Sequence, residues 1–476
     1  MPRFNPATPI GLAARHALLL TAVVLLTACD NDDDGEEATT TSYLQVSNAI
    51  PESPDLRISL EPEEEDDATD LTDLLAFQSW RDTLFTSREA ADYILSIEET
   101  DPDTGDLSAF ISNTTLTLDT DITTTVLIAG QYDSPQLVLF TRDYHEFDED
   151  TEDDLSEMQV INVSTEDWVE VQLVNEAGNT VLTESLSPMT ASTPTLLETE
   201  EDITVTTFTV DGNQEAPYFE GEPVPLVANR RYTLVLGDAF REEGPEPYLI
   251  DSLGLTDSLV NNLEPSRLRY ANATGETSPL SIRLEDALEG TLIDIAQLGP
   301  GASSDYLDLD PTVVFFSVEV RNEAGDLVYE TVLSLDGDTE YTLGFAGRVA
   351  DNTLSSQLAE TQSQPVATQA RLTIVNGSIR NELDEDGELE EIPTDLYVLA
   401  QAESIDDTTP SARNLEFLDV ATALVPATAS LLVLVEAGTT DILAGPEPII
   451  FESGGRYDIL LTGEDAIEIT VLDVDE

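Results

Sequence analysis

The chain has 476 residues, of which 97 are acidic and 18 are basic, and its formal net charge at pH 7 is −79. Every basic residue is an arginine, and lysine does not occur. Nucleic acid is excluded as a partner, because phosphate binding requires clustered cationic side chains. Apolar residues make up 41% of the chain and occur in short patterned runs, which excludes a wholly disordered protein.

The acidic residues are spread along the whole chain instead of forming one patch. Such a charge has two explanations, which are binding to a cationic partner and adaptation to strong salt. In about 1 M salt the Debye length falls to about 3 Å, so the self-repulsion of an acidic protein becomes short-ranged. The even distribution of the carboxylates favours a salt-adapted, halophilic protein.

We therefore expect the melting temperature to rise by several degrees between about 0.1 M and 2 M sodium chloride, because screening weakens the repulsion between carboxylates. Differential scanning calorimetry measures this shift. A parallel series with an uncharged osmolyte is the control, since osmolytes act by exclusion from the protein surface and not by screening. A flat or falling melting temperature in sodium chloride would favour the cationic partner.

The N-terminal segment has the organisation of a secretory signal peptide. Arg3 and Arg15 supply positive charge, and the apolar stretch 17–28 is shorter than the roughly 20 residues that a membrane-spanning helix needs. The sequence LTAC at 26–29 resembles the lipobox of bacterial lipoproteins. The resemblance implies that Cys29 becomes the first residue of the mature chain and carries acyl chains.

Lipidation of Cys29 would anchor the protein, because several acyl chains on one residue form a stable anchor whereas a single chain binds a membrane only marginally. The alternative is an ordinary signal peptide with a spare thiol. Cys29 is the only cysteine, so the lipidated chain keeps no thiol for disulfides, metal sites or catalysis. The acidic run behind it predicts a solvated tether over 29–42. We expect a protein of the bacterial envelope, anchored in the outer membrane or on the periplasmic face of the inner membrane.

Two landmarks recur four times, which indicates an internal repeat. The first is an alternating apolar stretch that ends in asparagine and a small residue, as in LQVSNA at 44–49. The second is an apolar run that ends in glycine, as in YTLVLG at 232–237. The asparagines are Asn48, Asn162, Asn272 and Asn376, and the glycines are Gly130, Gly237, Gly347 and Gly463. We interpret the asparagines as structural, because an asparagine at a strand end commonly binds its own turn.

Within each repeat, apolar and polar residues alternate with the period of a β-strand, as in PLSIRLED at 279–286. Units of this length with short strands predict an all-β protein, a tandem array of about four immunoglobulin-like antiparallel β-sandwich domains. Short helices are expected only near 71–75 and 255–263. The predicted organisation is signal peptide 1–28, tether 29–42, repeat 1 at 43–142, acidic linker 143–156, repeat 2 at 157–251, linker 252–266, repeat 3 at 267–360, linker 361–370 and repeat 4 at 371–476. The linkers are expected to act as hinges.

The first and third units add further shared features to the landmarks. Proline and aspartate follow the first asparagine at Pro51, Pro54 and Asp55, and central tyrosines precede strands at Tyr93 and Tyr306. With the closing tyrosine, threonine and glycine, this combination resembles the bacterial envelope family catalogued as domain of unknown function 4397. The resemblance spans most of units one and three and is looser in units two and four. It implies secreted or anchored sandwich domains in tandem, without an established chemistry.

Candidate catalytic residues are sparse. His16 leaves with the signal peptide and His145 lies in an acidic linker, so a nucleophilic triad and a zinc site are both disfavoured. The carboxylates are too abundant for any pair to be singled out as a catalytic acid and base. Trp80 and Trp168 could form a sugar-stacking platform, but we expect them to be core residues.

Calcium takes oxygen ligands from acidic loops, and two loops are candidates for a calcium site. The candidate ligands are Asp101, Asp103 and Asp106 in DPDTGD, and Asp384, Asp386 and Glu388 in ELDEDGELEE. The second loop does not follow the EF-hand pattern, because Pro393 stands where the bidentate glutamate belongs. Solvated turns are the alternative for both loops, and no other cofactor is expected.

The sequence therefore predicts a non-enzymatic, lipid-anchored envelope protein that acts as a structural spacer or an interaction module and is adapted to high salt. Its partners are the membrane, through the lipid on Cys29, and an envelope protein or a glycan. The alternative is an envelope lipoprotein that binds a glycan or a peptide through its inter-strand loops, with calcium as an aid.

Overall fold

The structure is a computed structural model that describes residues 41–62, 73–78, 83–101, 106–144, 147, 154–165, 168–199, 202–209, 217–238, 244–274, 278–313, 315–350, 352–361, 364–378, 381–383, 389–400, 403–406, 408–463 and 467–474. Within these ranges the regular elements are β-strands, which confirms the all-β prediction. The short helices expected near 71–75 and 255–263 are wrong, because strands occupy 73–78 and 256–258. The described part of the chain contains no helix that could cross a membrane.

The first two sandwiches are formed by the first eighteen strands, which are numbered in chain order. The first sandwich contains β1 (Thr41–Asn48), β2 (Leu56–Pro62), β3 (Asp73–Gln78), β4 (Thr83–Glu89), β5 (Asp92–Thr100), β6 (Leu107–Thr117), β7 (Ile122–Gln131) and β8 (Ser134–Asp143). The second contains β9 (Leu155–Asn162), β10 (Val169–Asn175), β11 (Thr180–Leu186), β12 (Thr190–Ala191), β13 (Thr195–Glu198), β14 (Ile203–Thr209), β15 (Phe219–Glu220), β16 (Arg231–Gly237), β17 (Glu246–Ile250) and β18 (Thr256–Ser258).

The last two sandwiches have corresponding strands. The third contains β19 (Ser266–Asn272), β20 (Leu280–Asp286), β21 (Leu292–Leu298), β22 (Leu307–Leu309), β23 (Phe315–Arg321), β24 (Leu327–Ser334), β25 (Glu340–Ala346) and β26 (Ser355–Thr361). The fourth contains β27 (Gln369–Asn376), β28 (Asn381–Leu383), β29 (Leu389–Glu391), β30 (Thr394–Ala400), β31 (Ala412–Leu415), β32 (Val420–Pro426), β33 (Ala429–Glu436), β34 (Ile442–Ile450), β35 (Arg456–Thr462) and β36 (Glu468–Asp473).

Each repeat folds into two sheets that enclose a core, so the chain is a tandem array of immunoglobulin-like β-sandwiches. In the first sandwich the strand orders are β4-β1-β7-β8 and β3-β2-β5-β6. The third repeats this pattern as β22-β19-β25-β26 and β21-β20-β23-β24, and the fourth as β32-β27-β35-β36 and β31-β30-β33-β34 with the added hairpin β28-β29. The second has β12-β9-β16-β17-β18, with β13 also beside β9, and β11-β10-β14-β15.

In every sandwich the first strand runs parallel to the strand that carries the glycine landmark, whereas the other strand pairs in the described part of the chain are antiparallel. The parallel pairs are β1 with β7, β9 with β16, β19 with β25 and β27 with β35. The asparagine and glycine landmarks of a repeat therefore lie at the same end of its sandwich. We call this the landmark end, and the end at which the first strand begins is the base end.

Alternate residues of the central strands fill the core between the two sheets. Leu44 and Val46 of β1 pack with Val126 and Ile128 of β7, and all four are fully buried. Corresponding clusters form the cores of the other three sandwiches. Burial of one such side chain contributes about 1.5–3 kcal/mol, so these rows hold each pair of sheets together.

A tyrosine near the start of the glycine-landmark strand closes the base end of three sandwiches. The hydroxyl groups of Tyr232, Tyr341 and Tyr457 accept hydrogen bonds from the backbone amides of Val227, Asp336 and Glu452, each five residues upstream. The three rings are buried in their sandwich cores. This geometry resembles the tyrosine corner of immunoglobulin-like folds, in which a buried ring fixes the loop before it.

Candidate functional site

The landmark asparagines hold the turn after the first strand, and in the last three sandwiches they also bind the last residue of an edge strand in the opposite sheet. In the second sandwich, Asn162 Oδ1 accepts hydrogen bonds from the backbone amide of Ser164 at 3.0 Å and from its hydroxyl at 2.7 Å. The Asn162 side-chain amide donates to the Leu186 carbonyl at 3.2 Å. The equivalent bonds involve Asn272 with Thr274 and Leu298, and Asn376 with Ser378 and Leu415. Asn48 accepts from the Ile50 amide and donates to the Ser53 hydroxyl. All four side chains are buried, and the bonds give them a structural role.

We expect Asn162→Ala to lower the free energy of unfolding by about 1–3 kcal/mol, because the Leu186 carbonyl and the Ser164 amide lose their buried partner. Urea unfolding followed by circular dichroism measures this loss. Asn179→Ala is the matched control, since Asn179 is an exposed asparagine in the same sandwich. Equal stability of the two variants would show that the asparagine landmark is not a structural bond.

Three of the four glycine landmarks adopt a backbone conformation that favours glycine. Gly130, Gly347 and Gly463 have φ values of +94°, +91° and +108°. A Cβ atom on Gly347 would also lie 2.3 Å from the Thr353 carbonyl oxygen, so no side chain fits there. Gly237 does not have a positive φ, and it lies beside Ala49 of the first sandwich.

The central strands are buried on both faces, which the sequence pattern did not predict. In β1 the polar residues Gln45 and Ser47 lie between the core residues, yet they are 1% and 0% exposed. An apolar cluster extends from Leu127 and Ala129 of the first sandwich to Val235 and Ile250 of the second. A smaller cluster joins Ala271 of the third sandwich to Val375 and Leu460 of the fourth. In each sandwich, the outer face of the sheet that carries the asparagine and glycine landmarks thus packs against a second sandwich. The first and second sandwiches form pair 1–2, and the third and fourth form pair 3–4. We call the contacting surfaces the paired faces.

The paired face of pair 1–2 contains a mostly neutral polar centre with one buried ion pair at its edge. Gln45 Oε1 accepts a hydrogen bond from Thr125 Oγ1 at 3.0 Å and a longer one from Thr233 Oγ1 at 3.5 Å. Arg142 of the first sandwich lies 3.2 Å from Glu157 of the second. Burial lowers the pKa of Arg142 to about 10, and the neighbouring Glu157 carboxylate opposes this shift. The guanidinium therefore stays charged at neutral pH and needs its carboxylate partner.

An aromatic stack extends this contact at the base end. The rings of Tyr43 and Tyr144 are stacked with centroids 3.9 Å apart. The guanidinium of Arg231 in the second sandwich lies 3.7 Å from the Tyr144 ring centroid, and Phe147 lies on it at 5.4 Å. Cation–π contacts of this kind strengthen when the cation is desolvated, as Arg231 is here. The start of the acidic linker 143–156 is therefore held against the second sandwich.

The paired face of pair 3–4 carries charged residues at its centre. Arg269 of the third sandwich forms an ion pair with Asp458 of the fourth, and both side chains are almost completely buried. Arg269 Nε also donates to Thr342 Oγ1 at 3.1 Å, and Thr342 Oγ1 lies 3.3 Å from Asp458 Oδ2. A second ion pair joins Arg456 to the buried Glu340 at 2.8 Å.

The small residue after the landmark asparagine sets how closely the sandwiches of pair 3–4 approach. A Cβ atom on Gly377 would lie 2.5 Å from Ala273 Cβ and 2.7 Å from the Ala273 carbonyl oxygen. Ala273 and Gly377 are themselves the small residues that follow Asn272 and Asn376. The landmark ends of the two sandwiches therefore lie side by side, and the small residue of the repeat serves the contact between domains.

Pair 1–2 and pair 3–4 contact each other end to end. The Ala367 amide, just before β27 at the base end of the fourth sandwich, donates to the Glu52 carbonyl at 2.8 Å. Glu52 follows β1 at the landmark end of the first sandwich. Burial lowers the pKa of Arg371 in β27, and the nearby Asp55 carboxylate of the first sandwich opposes this shift. The segment predicted as a hinge at 361–370 is thus held by a backbone hydrogen bond to a distant domain.

The segment between the second and third sandwiches is also held by backbone contacts. Its strand β18 pairs with β17, so part of the linker expected at 252–266 belongs to the second sandwich. The Asp338 amide, between β24 and β25 at the base end of the third sandwich, donates to the Glu264 carbonyl at 3.3 Å. This bond fixes the segment before β19 to the base end of the third sandwich.

The landmark end of pair 3–4, which we call the tip, carries an open groove of about 520 Å³. Its lining includes Ser278, Asn322, Glu323 and Val349. Pockets of about 300–1,000 Å³ accept small organic ligands. The groove is mixed in polarity, and the Ser278 hydroxyl donates to the Glu323 carboxylate at 3.3 Å.

The calcium loops and the tryptophans are placed as follows. Asp101 and Asp106 lie at the landmark end of the first sandwich, where the Asp101 amide donates to the Asp106 carbonyl at 2.8 Å. The described residues contain no group of three side chains arranged to hold a metal ion. Trp168 is 56% exposed, so its prediction as a core residue is wrong. The predicted residues outside the described ranges are Cys29, Trp80, Asp103, His145, Asp384, Asp386 and Glu388.

The paired faces were missed because their residues look like surface residues in the sequence. Arg142, Arg269 and Asp458 occupy alternate positions of their strands, as solvent-facing residues do. One signal could have found them, which is the scarcity of arginine. In a chain with 18 arginines, those within buried strands are candidates for buried ion pairs.

No protein-family model matches the chain and no curated protein sequence matches it, so the resemblance to domain of unknown function 4397 stays a prediction. Among solved structures, the TIE protein of Bacillus anthracis is 8% identical, with a TM-score of 0.16 over 92% of this chain and 76% of that one. A family 26 carbohydrate-binding module from Eubacterium rectale Amy13K, solved with maltoheptaose, is 13% identical, with a TM-score of 0.15 over 43% of this chain and 95% of that one. The RrgB pilus protein of Streptococcus pneumoniae is 9% identical, with a TM-score of 0.14 over 78% and 75%. At these values the similarities carry no argument about function.

Proposed function

We propose that the chain is a non-enzymatic, lipid-anchored protein of a bacterial envelope, in which four β-sandwiches act as a spacer that presents the tip to an interaction partner. The observation that carries this proposal is the hydrogen bond between the Ala367 amide and the Glu52 carbonyl, which joins the base end of the fourth sandwich to the landmark end of the first. In both pairs the first strands run from the base end to the landmark end, and the landmark end of the first pair meets the base end of the second. The lipid on Cys29 is the proposed anchor.

The direction of the strands supports this arrangement step by step. The described chain starts at Thr41, at the base end of the first sandwich. The contact between Glu52 and Ala367 then joins the landmark end of pair 1–2 to the base end of pair 3–4. The tip therefore lies beyond both pairs when followed from Thr41. A protein held at its amino terminus would present the tip as the part farthest from the anchor.

Fluorescence energy transfer from the lipidated protein to a headgroup-labelled acceptor lipid tests this proposal. One dye is placed by Thr120→Cys, in the turn between β6 and β7 at the base end, and another by Thr440→Cys, in the turn between β33 and β34 at the tip. We expect high transfer from position 120 and low transfer from position 440 in vesicles. Equal transfer from both positions would contradict the spacer.

Ligand recognition at the tip is a second candidate, favoured by the groove between Ser278 and Glu323. A glycan array and calcium titration calorimetry on the soluble chain from Asp30 onward test it. Binding that Glu323→Gln weakens would support recognition in the groove, and Glu330→Gln is the matched control on the exposed face of the same sandwich. Turnover of a polysaccharide or ester library by the same preparation would overturn the non-enzymatic assignment.

A further inference from the structure

Four positions at the centre of the paired faces correspond to one another across the repeats. In each sandwich this position consists of two neighbouring residues, one on each of the two parallel strands. The residue on the first strand directly follows the first core residue of the repeat. These register partners are Gln45 with Thr125, Gln159 with Thr233, Arg269 with Thr342, and Thr373 with Asp458. All eight side chains are buried. The same geometric position is therefore filled by neutral residues in pair 1–2 and by a cation and an anion in pair 3–4.

The charged set is complementary only between the third and fourth sandwiches. Arg269 finds its carboxylate in Asp458 of the opposite sandwich, and Thr342 Oγ1 lies 3.3 Å from the same carboxylate. The second sandwich offers Gln159 and Thr233 at these positions, so it cannot neutralise Arg269. Contact between the fourth sandwiches of two copies would place two Asp458 carboxylates face to face. Burial of an unpaired charge is strongly unfavourable, whereas the correct pair compensates both charges.

Apart from these charges and the ion pairs Arg142–Glu157 and Arg456–Glu340, the four paired faces have similar construction. Each presents a parallel strand pair, and the landmark asparagine is followed by Ala49, Ala273 and Gly377 in three sandwiches and by Val163 in the second. The third sandwich is linked directly to both the second and the fourth. Similar faces in tandem carry the risk of mispairing within one chain and between copies. Specificity in such systems is set by groups that penalise the wrong partner.

We infer that Arg269 and Asp458 are the residues that determine which sandwiches pair. They exclude pairing with the first or second sandwich, and they exclude pairing of two third or two fourth sandwiches from different copies of the chain. Pair 1–2 forms with neutral side chains at the corresponding positions, so these residues allow pairing but do not exclude a wrong partner. The neutral residues are Gln45, Thr125, Gln159 and Thr233. The inference concerns assembly of the four domains and does not depend on the proposed function.

Refolding of the soluble chain from Asp30 onward tests the inference. The double variant Arg269→Gln with Asp458→Thr installs the residue types of pair 1–2 in pair 3–4. After dilution from urea at rising protein concentration, light scattering coupled to size exclusion measures the fraction of monomer. We expect the wild type to return as monomer, and the double variant to fold with a monomer fraction at least about twofold lower at the highest concentration, together with dimers.

Two further variants separate pairing specificity from a purely structural role. The charge-reversed variant Arg269→Asp with Asp458→Arg keeps complementarity and should recover the wild-type monomer fraction. Arg283→Gln with Glu285→Thr removes an ion pair of similar composition from the outer face of the third sandwich and should change nothing. Wild-type monomer recovery by the neutral double variant would overturn the inference. Failure of that variant to fold would overturn it as well, because the neutral set supports pairing in pair 1–2.

Discussion

Cys29→Ser is expected to abolish the incorporation of radiolabelled palmitate into the chain and to release the protein from the membrane fraction. The reason is that stable anchoring requires more than one acyl chain, and the lipobox cysteine is the proposed attachment point for all of them. The measurement is autoradiography of the immunoprecipitated protein after growth with labelled palmitate, followed by fractionation of the cells. This change is all-or-none, and it bears directly on the localisation of the protein.

The control for this experiment is Asp30→Asn, which keeps the lipobox and removes only the first charge of the tether. We expect this variant to incorporate palmitate as the wild type does. Persistent labelling of Cys29→Ser would refute lipidation at this residue. Release of the wild-type protein with the soluble fraction would refute the anchor itself.

Gly377→Val is expected to destabilise pair 3–4 by about 3 kcal/mol, because it forces a larger side chain into a contact that has no room for a Cβ atom. The nearest groups are Cβ and the carbonyl oxygen of Ala273, and the backbone cannot yield as the end of a flexible side chain can. For a domain of about 100 residues, each 1 kcal/mol lowers the melting temperature by about 4–8 °C. Differential scanning calorimetry of the soluble chain measures the shift.

Gly299→Val is the matched control for Gly377→Val. Gly299 lies in the third sandwich, and a Cβ atom there would meet nothing within 4 Å. We expect the control to melt close to the wild type, since its added side chain enters open space. A melting temperature of Gly377→Val that equals that of Gly299→Val would show that the two sandwiches do not pack at this point.

The sequence predicts the fold class well because the signals of a β-sandwich are local. Alternation of apolar residues places Leu44 and Val46 in the core, and the landmark asparagine and glycine recur with each domain. The tyrosines are also predictable, since an aromatic ring with a polar tip in a strand favours a core position near an edge. Tyr232, Tyr341 and Tyr457 take these positions.

The paired faces could not be predicted, because strand alternation reveals which residues share a face but not whether that face meets water. Gln45, Arg269 and Asp458 are polar at alternate positions and read as exposed. Their burial depends on partners from a different repeat, as the contact of Arg269 with Asp458 shows. The scarcity of arginine marks Arg269 as a candidate for a buried ion pair, but a single sequence does not identify the partner from the other repeat.

The linkers illustrate the same limit from the opposite direction. Their acidic and proline-containing composition is typical of flexible segments, and this led to the prediction of hinges. In the structure, the Ala367 amide binds the Glu52 carbonyl, and Arg231 stacks on Tyr144 at the start of the acidic linker. Backbone hydrogen bonds are open to every residue type, so composition does not reveal them.

The end-to-end contact between the two pairs is the central claim, and disulfide formation between Glu52→Cys and Ala367→Cys tests it most directly. The soluble chain from Asp30 onward contains no other cysteine, and a backbone hydrogen bond of 2.8 Å joins these two positions. Two cysteines at such a short separation can form a disulfide. Two cysteines whose Cα atoms are more than about 7 Å apart cannot do so without backbone movement. We predict that mild oxidation of the native protein produces an intramolecular crosslink, seen as a mobility shift on a non-reducing gel, and that Glu52→Cys with Thr440→Cys produces none. Absence of the crosslink in the first variant, or equal crosslinking in both, would contradict the arrangement.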